Sequence, residues 1–252
     1  MSYFIEREAF YTEKRDNIAI IKIKDKVFDL VVDLEESEYL MEFITQTEYD
    51  DEISALLFLN EPGCFGEAKY DKFIHEILGR HEEEGKDDIP TFSHKNVRFR
   101  EINILNKIIR GIASYQKLCF IAINGEIVTP FIGAALAADF RFASSKTKFI
   151  MAHNKYGLHP SGALPFFLTH YMHHSTALAI QLSDGFSVKK AKELGLVNEI
   201  FTTAHFDELC FEEVRSYLHC RTCTIRRAKQ LTNFYRRGLN DYFQYESGLL
   251  NL

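Results

Sequence analysis

Apolar residues recur along the chain at two spacings, and the switches between them outline its elements. Segment 17–34, NIAIIKIKDKVFDLVVDL, alternates apolar and polar positions, then turns around Asp25 and Lys26; this predicts one or two strands. Segment 35–52 puts Leu40, Phe43 and Ile44 on one face at helical spacing. The short apolar run ISALLFLN closes on Pro62-Gly63, which suits a buried strand, and segment 64–78 then turns into a second helix. Segment 79–96 is polar, acid-rich and carries Gly and Pro; it reads as a mobile, solvated surface loop.

The second half repeats the alternation. VRFREINILNKIIRGIASYQ is a long amphipathic helix, and KLCFIAING is a short buried strand ending in Asn124-Gly125. IGAALAADF is a helix of small side chains, RFASSKTKFIMAH is strand material, and segment 165–185 reads as one helix ending at Gly185. SVKKAKELG is a short helix with Ser187 as N-cap and Gly195 past its end. LVNEIF is a last strand, and helix is predicted from Phe206 onward. Strands alternating with helices predict a layered α/β core with parallel strands, followed by a helical C-terminal region.

Composition narrows the function classes. The 252 residues are 46% hydrophobic and 26% charged, with a formal net charge of −6, so no broadly basic nucleic-acid footprint exists. No apolar run reaches the ~18–20 residues of a membrane span, and the first residues carry acids where a signal peptide has an apolar core. The expectation is a cytoplasmic protein with neither nucleic-acid nor membrane partners. Five scattered cysteines do not form a disulfide framework, and Cys220-x-x-Cys223 lacks a second ligand pair for zinc. His170 and His174 have the i, i+4 spacing of one helix face but lack the H-E-x-x-H glutamate, so no metal is expected.

Segment 117–158, KLCFIAINGEIVTPFIGAALAADFRFASSKTKFIMAHNKYGL, resembles the signature region of the crotonase (enoyl-CoA hydratase/isomerase) superfamily. Asn124-Gly125, Asp139, Arg141, Ala143-Ser144 and Lys148-Phe149 fall at the family's spacing without a gap. LSDGFSVKKAKELGLVNEIF resembles the family's L-T-G-x-x-x-x-A-x-E-A-x-x-x-G-L-V-N-x-V, and ALLFLNEPGCFGEAKYDKF its weaker upstream motif. The resemblance implies an α/β spiral of ββα units over residues 1–200. It also implies a helical region over 201–252 that drives trimer formation, often as a dimer of trimers. The implied ligand is an acyl thioester of coenzyme A or of an acyl carrier. Coenzyme A then arrives as part of the substrate rather than as a resident cofactor. Two backbone N–H groups would hold the thioester oxygen as an enolate forms.

Residue by residue, the carry-over is incomplete. The first oxyanion donor position is Lys69, and Lys72 stands where the family has a coenzyme A-binding lysine. The second donor position lies in Thr129-Pro130-Phe131, and Pro130 has no N–H. The Phe131 N–H, the Thr129 hydroxyl or a one-residue loop shift are the substitutes; a cis bond before Pro130 is a further option. Gly133 and His153 occupy the positions of the two hydratase glutamates. His153, with His159 and Ser161 nearby, is the candidate acid/base set, weighed against a purely structural histidine. Arg227 is the candidate for a coenzyme A phosphate, against a solvated helix face. Two functions follow: an acyl-thioester enzyme with altered chemistry (hydrolase, lyase or decarboxylase), or an inactive relative that binds acyl-CoA or serves as a trimeric scaffold. An ordinary hydratase conflicts with the missing acids.

Overall fold

The computed structural model describes residues 2–78 and 92–249. Most of the acidic loop expected at 79–96 therefore lies outside the described residues. In chain order the strands are β1 (Ile5–Glu6), β2 (Phe10–Arg15), β3 (Ile18–Ile23), β4 (Ala55–Asn60), β5 (Leu118–Ile123), β6 (Glu126–Val128), β7 (Phe140–Ser144), β8 (Lys148–Ile150), β9 (Gly185–Ser187) and β10 (Glu199–Phe201). The helices are α1 (Val27–Leu30), α2 (Leu34–Tyr49), α3 (Glu67–Leu78), α4 (Lys95–Ser114), α5 (Phe131–Leu136), α6 (Leu164–Tyr171), α7 (His174–Gln181), α8 (Val188–Glu193), α9 (Phe206–Tyr217), α10 (Thr222–Thr232) and α11 (Leu239–Gly248). Short 3-10 turns occupy Ala152–Tyr156 and Asn233–Gly238.

One sheet carries seven strands in the order β1-β2-β3-β4-β5-β7-β10. Its first three strands are antiparallel, and β3, β4, β5, β7 and β10 run parallel. A second sheet holds β6, β8 and β9. After β5 and after β7 the chain steps from the large sheet into the small one, as expected of ββα units. The central strands are buried on both faces, which is why β4 reads as an unbroken apolar run. Their side chains alternate between two cores. Ile18, Leu57 and Phe120 meet Phe206, Phe211 and Val214 of α9. Ile21, Leu56 and Ile121 face the helices on the other side.

Several elements differ from the sequence reading. Residues after Asp25 form α1 rather than a second strand, because Val27, Phe28 and Leu30 are all buried on one helical turn. The helix expected over 165–185 is two helices, interrupted at Met172 and His173, which have extended backbone. His170 and His174 thus belong to different helices and share no face. Strands β1, β2, β6 and β9, two to six residues long, lie outside the strands that the spacing predicts. Ser187 does cap α8, accepting the Lys190 N–H.

The signature residues hold the strands together. Asn60 at the end of β4 bonds both backbone groups of Asn124 past the end of β5, at 2.8 and 3.1 Å. Gly125, at φ +99°, presses to within 3.0 Å of the Gly63 N–H where a Cβ would sit. Arg141 donates to the Leu196 and Ala138 carbonyls, at 2.7 and 2.9 Å. Asp139 accepts the Cys119 N–H at 2.8 Å and the Lys229 ammonium at 2.6 Å, fastening α10 to the sheet. The same Lys229 also donates to the Lys117 carbonyl. Leu231, Phe234, Tyr245 and Leu249 are left exposed on this C-terminal region. No helix of the described residues is long and apolar enough to cross a membrane, and none of their His, Cys, Asp and Glu side chains gather as a metal site. Lys229→Met should leave Asp139 buried without its cation and destabilise the fold by roughly 3 kcal/mol, read by urea unfolding.

Candidate functional site

The turn at 129–133 links β6 to α5. Val128 pairs outward to the start of α3, donating its N–H to the Phe65 carbonyl at 3.0 Å. The Thr129–Pro130 bond is cis. Pro130 then caps α5, its carbonyl accepting the Gly133 and Ala134 N–H groups. The Phe131 and Ile132 N–H groups, at the start of that helix, have no hydrogen-bond partner among the described residues. The Phe131 ring is buried between Phe28 and Phe65, at centroid distances of 5.3 and 4.9 Å.

Residues 161–164 close over this turn. A Cβ on Gly133 would overlap the Gly162 carbonyl oxygen and lie 3.1 Å from the Leu164 nitrogen. Gly162 itself has φ +73°, and a Cβ there would come within 2.6 Å of the Pro130 carbonyl oxygen. Both glycines are therefore required by a backbone-to-backbone contact. The space of a side chain at position 133 is thus taken by main chain. Ser161, buried beside Gly162, belongs to the covering segment.

His153 sits on the 3-10 turn after β8 and is 3% exposed. Its Nε2 lies 3.1 Å from the Gln181 carbonyl oxygen, which can only accept, so Nε2 carries the proton. Its Nδ1 is then the acceptor for the Thr129 hydroxyl, 3.1 Å away. Burial lowers the His153 pKa to about 4 and keeps the ring neutral. Asn154 donates to the same Gln181 carbonyl at 2.8 Å. The pair satisfies an end carbonyl of α7 and pins it to the turn. Of the three candidate substitutes for the lost donor, the Thr129 hydroxyl is committed to His153, whereas the Phe131 N–H has no partner.

A carboxylate that sequence reading missed stands behind the covering segment. Glu246 of α11 is 3% exposed and accepts the Ala163 N–H at 3.1 Å. Burial raises its pKa to about 7. Its Oε1, the Arg98 Nε and the His159 Nε2 are buried without a partner among the described residues, while Arg98 pairs with Glu101. Burial, followed by the Arg98 charge, also lowers His159 to about 4. Nothing local in the sequence marks Glu246; only the fold brings it under Ala163.

The lysines lie elsewhere. Lys69, in the first turn of α3, pairs with Asp25 at 2.5 Å, and Lys72 lies 3.9 Å from Glu76. Both line a groove of about 730 Å³ with Lys26, Phe28, Phe73 and His94. Phe28 of this lining stacks on Phe73 and meets the buried Phe131 ring edge-on. Arg227 is exposed on α10 and does not line that groove.

A family model described as enoyl-CoA hydratase/isomerase matches residues 102–250, and the chain belongs to that family. The trans-2-decenoyl-[acyl-carrier-protein] isomerase of Streptococcus mutans serotype c is 29% identical over 102 residues. That match spans 40% of this chain and only 39% of the relative's length. Among solved structures, an enoyl-CoA hydratase from Bacillus halodurans superposes with a TM-score of 0.73 at 18% identity, covering 95% of this chain and 90% of that one. DspI of Pseudomonas aeruginosa gives 0.72 at 18% identity, covering 100% and 92%. These likenesses confirm the crotonase fold.

Gly133→Glu should lower the melting temperature sharply, because the backbone of 162–164 occupies the side chain's space. The ionisable groups oppose one another with pH. The neutral form of His153 is favoured in the folded state, so its contribution is full above about pH 6.5 and is lost as pH falls toward 4. The proton on Glu246 is favoured, so its contribution is full below about pH 4.5 and is lost as pH rises through 7. Glu246→Gln should therefore gain stability relative to wild type between pH 5 and 7.5, by up to roughly 3 kcal/mol, in denaturant unfolding at each pH.

Proposed function

We propose that this chain binds acyl thioesters without hydrating or isomerising them through the family's two acid positions. The observation that carries this reading is the contact between Gly133 and Gly162, which fills with main chain the space in which a catalytic carboxylate and its water would stand. His153, the other acid position, has both ring nitrogens engaged inside the protein and serves to position Thr129 against α7. Pro130 offers no N–H to a thioester oxygen. The Phe131 N–H and a donor in the first turn of α3, around Lys69, are the remaining backbone candidates.

The binding half of the proposal rests on the groove between α1 and α3. Lys26, Lys69 and Lys72 stand there beside Asp25, Asp29 and Glu76, and the phosphates of coenzyme A or the phosphopantetheine of an acyl carrier would compete with those carboxylates for the ammonium groups. Coenzyme A would come and go with the acyl group rather than reside as a cofactor. Two of the similar proteins carry names that speak of such thioesters, one of an enoyl-CoA and one of an acyl-carrier-protein ester. The exposed apolar side chains of α10, α11 and the 3-10 turn between them fit self-association as a homotrimer or a dimer of trimers. In such an assembly Arg227 would be offered to a neighbour's ligand. A hydrolase, lyase or decarboxylase based on His153 is the second reading, and it requires one of the two His153 hydrogen bonds to break.

Calorimetric titration with crotonyl-CoA and decanoyl-CoA should show saturable binding that weakens at least tenfold in Lys69→Glu/Lys72→Glu. Crotonyl-CoA should meanwhile remain unhydrated. A turnover number near or above ~1 s⁻¹ would overturn the reading, as would a failure to bind either thioester.

A further inference from the structure

Helix α10 and the 3-10 turn that follows line an open cavity of about 650 Å³ against β7 and the end of α6. Its charged lining is unbalanced. Arg141, Lys229 and Arg236 face it, with Asp139 as the one carboxylate in the lining, and Asp139 is bound to Lys229. Neither Arg141 nor Arg236 makes an ion pair with any described residue. Their donors go to main-chain oxygens instead, apart from the Arg236 Nε, which donates to the Tyr235 hydroxyl at 3.3 Å. Arg141 Nη1 and Arg236 Nη2 reach the same oxygen, that of Ala138, at 2.9 and 3.4 Å. Two guanidinium groups are thus drawn to one carbonyl with no anion between them. Arg141 is 3% exposed, and burial pulls its pKa below the usual arginine value, the signature of a desolvated and uncompensated cation. Its Nη2 bonds to none of the described residues.

Retaining the buried Arg141 cation without a counter-charge, next to the half-buried Arg236, is costly unless an anion completes it. The walls add planar groups. Tyr171 lies 4.9 Å from the Arg141 guanidinium, and His170 stacks on Tyr235 at 4.0 Å. The volume far exceeds that of one phosphate and falls in the range of small-molecule sites.

We propose that this cavity binds a small phosphate-bearing ligand, with its anionic group on Arg141 and Arg236 and a planar body against the Tyr171, His170 and Tyr235 rings. The site is separate from the acyl-thioester groove, which draws on Lys26, Lys69 and Lys72 of other elements. It stands whether or not that groove binds a thioester.

The test is titration calorimetry of the full chain with inorganic phosphate, AMP and adenosine as probes. Wild type should bind phosphate and AMP, AMP more tightly, with affinity falling as salt rises; adenosine should be at least tenfold weaker than AMP. Arg236→Gln should reduce AMP affinity at least tenfold. Thr232→Glu, an exposed lining position, should do the same by setting a carboxylate at the cavity, and it keeps the test valid if the arginine variant does not fold. Lys69→Glu/Lys72→Glu should leave AMP binding unchanged, separating this site from the thioester groove. The proposal is overturned if wild type binds neither phosphate nor AMP. It also falls if AMP affinity survives Thr232→Glu or is abolished by the Lys69/Lys72 double variant.

Discussion

The approach of one main chain to another at Gly133 and Gly162 governs the whole site. A carbonyl oxygen of the 161–164 segment lies where a Cβ at 133 would be, so the segment rests directly on the first turn of α5. Such an approach demands glycine on one side for space and on the other for a left-handed backbone. Once it is made, no side chain of any chemistry can project from position 133. The absence of a side chain at position 133 is therefore built into the packing.

Around that contact the polar groups have been turned inward. The His153 ring bridges Thr129 and the last turn of α7, and Glu246 reaches from α11 to the N–H of Ala163. Each is a buried titratable group near the covered turn, the kind of arrangement that often marks catalysis. Here the geometry separates the two meanings of a shifted pKa. Both ring nitrogens of His153 are engaged by the protein's own atoms, the Gln181 carbonyl and the Thr129 hydroxyl, and burial alone accounts for the lowered pKa.

The fold was legible because its determinants are local and periodic. Asn124, Gly125, Asp139 and Arg141 are among the residues that carry the family resemblance, and each is explained by a bond or a close approach that orders strands. They report architecture, which is why the match could be strong while the chemistry was open. The missed strands are two to six residues long, too short for a period to show. The break between α6 and α7 carries neither Gly nor Pro, so no punctuation marked it. In the site, Pro130 and Gly133 could be read directly, because what they lack is evident from residue type. Glu246 could not, because it lies 113 positions from Gly133 and meets the covering segment only through the fold.

Glu246 also makes the covered site and the C-terminal helices one mechanical unit. To expose the Gly133 face, residues 161–164 must lift, and the Ala163 N–H must leave the carboxyl group of α11. That carboxyl group is held protonated up to about pH 7 by burial, and lifting the segment would let water reach it. Opening therefore favours ionisation, and ionisation favours opening, since a carboxylate is stabilised by the water that the lifted segment admits. A ligand could use the Gly133 face only by binding the lifted state more tightly than the closed one, and its apparent affinity would fall with the fraction of molecules in that state. The groove of Lys26, Lys69 and Lys72 carries no such requirement, because it is open without moving residues 161–164.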